Sequence, residues 1–380
     1  MNPIQITTEV WAESGGPILK EALRLEARTW HQIHQPPSRL QDWLKARRKL
    51  RRDLLDAAGS FPPAPDLQLR EHGSIGQKGY RITKVTYQSR PGLRVTALLF
   101  RPAGPGPFPA VLNMHGHWAQ GKIASVVARR CQILAKEGFV VLSVDAIGAG
   151  ERATLPGEFE YHGQHQATSL FSAGETLLGT QLYDNMRGID LLQSLDDVDG
   201  SRIGATGGGN QTLWVSALDE RIKASVPVVS IGTMESYVTN YNCWCETLPD
   251  ALKLTATWEL LGLIAPNPLL ILTAAKEKNA AFCLRKCSAR TPPQRRFTGS
   301  TTQRIKSPAK SLTARTGKTA FFIMPPSIAW TRFMVCPCQD GFGRSGGEIS
   351  DSRVSAVRST RRQASGVRHC PDSPSYPPSW

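Results

Sequence analysis

Apolar positions recur at helical spacing over residues 17–32 and 39–58, which predicts two amphipathic helices, the second stopped by Ala57-Ala58-Gly59. In the second, Leu40, Trp43, Leu50, Leu54 and Leu55 share one side, opposite Lys45, Arg47, Arg48, Lys49, Arg51 and Arg52. A buried apolar stripe obliges the other side to face water, so the basic run reads as a solvated helix face rather than a nucleic-acid stripe. From Tyr80 the period changes. Residues 80–88 and 93–100 are rich in β-branched and aromatic side chains, with a hairpin turn expected at Arg90-Pro91-Gly92. Short apolar runs follow at residues 110–114, 139–144, 202–206, 224–229 and 269–273, most of them alternating with helical stretches at 123–136, 182–195 and 211–218. That alternation predicts an α/β fold: a mostly parallel central sheet with helices on both faces. Residues 1–60 form a helical extension in this reading, and residues 61–278 the α/β domain. Ligands of such sheets bind beyond the carboxyl ends of the strands, so candidate chemistry belongs there.

Charge divides the chain sharply. The net +15 would ordinarily suggest an anionic partner, but from Lys276 onward there are 19 Lys and Arg against 5 Asp and Glu, leaving 27 against 26 before it. Residues 279–380 also hold five of the eight cysteines, are crowded with Ser, Thr, Pro and Arg, and lack sustained periodicity. Such a composition buries too little apolar surface to offset its ordering entropy, so a basic tail of low order is expected. No stretch reaches the ~20 apolar residues of a membrane span, and no charged and apolar leader opens the chain. With Cys131, Cys243 and Cys245 the cysteines of the first 275 residues, a reduced, cytoplasmic protein is expected.

Three loops at predicted strand ends could carry chemistry. His115-Gly116-His117-Trp118 is either an oxyanion loop, its small residue letting N–H groups turn inward, or a structural turn with two satisfied histidines. Asp145-Ala146-Ile147-Gly148-Ala149-Gly150-Glu151-Arg152 lacks dinucleotide spacing; Arg152 either pairs with a buried acid or shapes a pocket. The run from Arg202 to Leu213 has the strand, glycine-rich turn and helix start of a nucleophile elbow, yet no serine at Gly207-Gly208-Gly209. Thr206 belongs to the strand end, not the apex. Cys243-Trp244-Cys245 reads as core packing, because free cysteine behaves as a small buried hydrophobe. Cys283-x₃-Cys287 with Cys336-Pro337-Cys338 departs from the usual zinc spacing, so no metal or other cofactor is expected.

Taken together, these segments resemble the acetyl xylan esterase-like branch of the α/β-hydrolases, from about residue 42 to about residue 278. The likeness rests on residues 110–118 (Ala-Val-Leu-Asn-Met-His-Gly-His-Trp), residues 145–152, Glu160-Tyr161-His162-Gly163, Leu177-Leu178-Gly179, Tyr183-Asp184-Asn185-Met186-Arg187, residues 217–221 and Leu263-Ile264-Ala265-Pro266. The resemblance implies an oxyanion loop at Gly116 and His117. It places Gly207–Gly209 where the family carries Thr-Gly-x-Ser-Gly-Gly-Gly, three residues longer, with Gly208 beside the pocket. Glu277 occupies the place of the triad acid, and His369 is the only histidine after it, in a segment unlike the family's last strand and helix. A change of reading frame near residues 279–284 would account for that tail.

Ester hydrolysis by acyl transfer needs a nucleophile, a base and an oxyanion hole, and only the last is expected to survive. The resemblance therefore implies a carboxylic-ester hydrolase of acetyl esterase or acetyl xylan esterase type, inactive or strongly impaired. The alternative is a non-catalytic module that binds acylated carbohydrate or small esters. Its partner in either case is a small-molecule ester or acetylated carbohydrate, with no specific nucleic acid and no membrane.

Overall fold

Strand pairing at the centre follows directly from the apolar runs. In this computed structural model, which describes residues 18–155, 164–240, 242–274 and 319–324, nine strands join one sheet in the order β1-β2-β3-β5-β4-β6-β7-β8-β9. They are β1 Arg70–Gln77, β2 Tyr80–Arg90, β3 Leu93–Pro102, β4 Phe108–Asn113, β5 Val140–Val144, β6 Val198–Gly208, β7 Ile222–Val228, β8 Leu269–Ala274 and β9 Thr319–Met324. The β5-β4-β6-β7-β8 block is parallel, flanked by antiparallel β1–β3 on one side and antiparallel β9 on the other.

Neighbouring residues of the central strands enter opposite layers, as a period of two requires when both faces are covered. Leu112 and Leu142 pack into the larger core, while Val111 and Val141 pack into the smaller one with Val127, Cys131 and Ala135. Those last three belong to α3 (Ser125–Lys136), on one face. The opposite face carries α2 (Leu40–Ala58), α5 (Leu177–Gln193), α6 (Gly209–Leu218) and α9 (Thr257–Ile264), whose Leu54, Ile189, Val215 and Leu260 are almost fully buried. The remaining helices are α1 (Ile18–Ile33), α4 (Gln164–Ser172), α7 (Met234–Thr239) and α8 (Ala251–Leu254). None of the helices among the described residues is long and apolar enough to cross a membrane.

The basic face of α2 divides in two. Lys45, Arg48, Lys49 and Arg52 are exposed as expected, but Arg47 donates to Leu263 O at 2.8 Å and Arg51 to Ala217 O at 3.3 Å. Both carbonyls lie at helix C-termini, where a cation complements the end of the helix dipole. Leu40, expected on the buried side, is exposed.

Two strands lie outside the predicted runs. β1 is exposed along its whole length, and its sequence Arg-Glu-His-Gly-Ser-Ile-Gly-Gln carries no buried face to betray it. β9 lies within the tail expected to be of low order, paired antiparallel with β8 through Leu270↔Ile323 and Leu272↔Phe321, so part of the tail adds an edge strand to the sheet.

Candidate active site

The loop after β4 and the turn after β6 meet at the carboxyl end of the sheet. Met114 N donates to Thr206 O at 2.9 Å, and Gly208 N donates to Met114 O at 3.2 Å. His115 is buried; its Nε2 accepts the Ala146 N–H at 3.0 Å, and its Nδ1 lies 2.7 Å from Gly116 O. Accepting at Nε2 requires the proton on Nδ1, which fixes a neutral ring that braces the loop. The sequence alternatives thus divide: His115 is structural, whereas His117 faces other chemistry, described below.

The turn after β6 has no apex. β6 runs through Gly208 and α6 starts at Gly209, so strand passes into helix without the raised residue that an elbow presents. A Cβ on Gly207 would stand 1.9 Å from Met114 O, on Gly208 2.3 Å from His115 O, and on Gly209 1.7 Å from Val229 O. Gly207 also holds φ +111°. Backbone therefore fills the space that a nucleophile's side chain would use. Thr206, the nearest hydroxyl, donates to Val226 O at 2.9 Å along the sheet and is buried. Gly116 and Gly208 are brought together, the Gly208 Cβ position lying 3.5 Å from Gly116 N. Glu277 and His369 lie outside the described residues, as do the cysteine pairs of the tail.

After β5, Asp145 is fully buried and accepts from Thr96 Oγ1 at 2.7 Å, from Lys122 N at 2.8 Å and from the Lys122 ammonium. Arg152 donates to Asp184 Oδ2 at 2.7 Å and to Asp145 O at 3.0 Å, so its buried acid is Asp184 of α5. Beside this loop a cavity of about 510 Å³ is lined by Arg90, Arg94, Glu151, Arg152, Glu175 and Thr180, among others.

A second cluster joins residues that the sequence reading treated separately. Cys243 and Cys245, beside and on the short 3₁₀ helix Trp244–Glu246, are buried as expected, but their Sγ atoms face each other at 2.7 Å. His117 Nε2 lies 3.8 Å from Cys245 Sγ. Burial disfavours charge on His117, yet a hydrogen bond with Cys243 and the nearby Glu246 raise its pKa above the usual imidazole range. Burial likewise pushes the Cys245 thiol well up and the Glu246 carboxyl to about 7. More than a hundred residues separate His117 from the pair, so no spacing rule signals the contact.

Residues 53–237 match the model of the acetyl xylan esterase family. A protein of Bacillus subtilis (strain 168) named as a hydrolase, YtaP, is 30% identical over 190 residues, covering 46% of this chain and 62% of its own length. The chain thus spans under two thirds of that curated relative. The family match and this relative agree with the fold. Over these residues the chain is similar to the esterase-like branch of the α/β-hydrolases. A crystal structure from Bacteroides fragilis NCTC 9343, assigned as an acetyl xylan esterase, superimposes with a TM-score of 0.57 at 19% identity, covering 67% of this chain and 73% of the other. At that identity the superposition speaks for the fold alone.

Proposed function

We propose that this chain descends from a carboxylic-ester hydrolase of acetyl esterase or acetyl xylan esterase type and has lost serine-dependent acyl transfer. One observation carries the reading: the turn after β6 offers no hydroxyl, and each of its glycines is packed against backbone that leaves no room for one. Without a nucleophile, binding and oxyanion stabilisation leave on the order of 10³–10⁴-fold acceleration over water at best. Hydrolysis of p-nitrophenyl acetate by the purified chain is therefore expected to show no acyl-enzyme burst. A burst stoichiometric with protein would defeat the proposal.

The cavity beside Arg152 favours a second reading, retained binding of acylated carbohydrate or a small ester. Its arginines, carboxylates and Thr180 hydroxyl suit sugar hydroxyls and ester carbonyls. Acetylated xylo-oligosaccharides should raise the melting temperature in that case; an unchanged transition at saturating sugar removes the binding role.

A further inference from the structure

We propose that His117, Cys243 and Cys245 form a binding site for a zinc ion. Their ligand atoms all lie within 4.8 Å of one another. Tetrahedral zinc with bonds of about 2.3 Å to sulfur and 2.0–2.1 Å to nitrogen places S and N ligands roughly 3.6 Å apart and two S ligands roughly 3.8 Å apart. The 3.8 Å from Cys245 Sγ to His117 Nε2 already matches. The 2.7 Å between the sulfurs is too close for two ligands of one ion, and a side-chain rotation opening it by about 1 Å meets the requirement.

Three further features fit a metal. Two thiolates neutralise a divalent ion, so no net charge is left in a cluster whose cysteines are 3% and 4% exposed. Cys243 Sγ accepts the Cys245 N–H at 3.3 Å, a contact that holds the sulfur in place within the turn. The turn is also held from outside the cluster: Asn210 Nδ2 donates to Cys245 O at 2.9 Å, and Thr247 Oγ1 to Cys243 O at 3.1 Å. Thiolate and imidazole together select zinc over magnesium or calcium. Three protein ligands among the described residues leave a fourth position for solvent or another donor, the pattern of an open zinc site.

The full chain, reduced and freed of metal, would be titrated with Co²⁺ and Zn²⁺. One equivalent of Co²⁺ should give a thiolate charge-transfer band and the visible bands of a tetrahedral site, and Zn²⁺ should displace it. His117→Ala, Cys243→Ser and Cys245→Ser should each weaken zinc binding by on the order of 100-fold or more. Replacing Cys283, Cys287, Cys336, Cys338 and Cys370 by serine should leave the bands intact, which separates this site from the tail. Circular dichroism on each variant distinguishes lost ligands from lost fold. Absence of a thiolate band from the folded wild-type chain, persistence of the band in folded Cys243→Ser and Cys245→Ser proteins, or its disappearance in the folded tail variant would overturn the proposal.

Discussion

The loop after β4 and the turn after β6 leave neighbouring strands at the same end of one sheet, yet they treat side chains in opposite ways. A Cβ on Gly116 would meet only Trp118, at an ordinary contact distance of 3.6 Å, whereas all three glycines of the β6 turn would drive a Cβ into a carbonyl oxygen. The loop after β4 is anchored by side chains, through the two ring nitrogens of His115. At the turn after β6 the three glycines are held by close backbone approach, with Gly208 N donating to Met114 O. A nucleophile elbow needs a side chain held outward at that turn, and here backbone occupies the space the side chain needs.

Substitutions at the two sites should separate most clearly in stability. Gly207→Ala and Gly209→Ala force a Cβ against a fixed carbonyl, and each is expected to cost more than about 4 kcal/mol or to prevent folding. Urea titration would show it, and a loss under about 1 kcal/mol would mean that the turn is looser than described. Asp145→Ala, at the end of adjacent β5, strands the buried Lys122 ammonium with only the exposed Glu151 beside it. Its expected cost is about 3–5 kcal/mol by the same titration. A neutral effect would deny that this ion cluster holds the loop. Gly116→Ala should fall within about 0.5 kcal/mol of the parent chain. A large loss there would erase the difference between loop and turn.

Much of this was legible in the sequence because the parallel strands are apolar on both faces. Runs such as Ala110-Val111-Leu112 announce themselves when neither face meets water. That residues 207–209 are all glycine was equally plain, since a residue type is read without coordinates. What the sequence hid had physical reasons. β1 is an exposed edge strand with no apolar alternation. Helix α5 begins at Leu177, five residues before the periodic stretch, because Thr176 caps it by accepting the Gly179 N–H. Nothing in the local sequence distinguishes Arg47 and Arg51 from solvated cations, because the helix C-termini they cap come from distant segments. The contact of His117 with Cys243 and Cys245 depends on the sheet folding distant loops onto one end, which local pattern cannot report.

The claim on which the functional reading rests is that the strand end after β6 presents no reactive hydroxyl. Incubating the purified full chain with a fluorophosphonate and recording its intact mass tests this directly. The account predicts an unmodified protein, with Thr206 held by Val226 O and no other hydroxyl at the turn. A single phosphonyl adduct, mapped by peptide sequencing to the β6–α6 region, would contradict it.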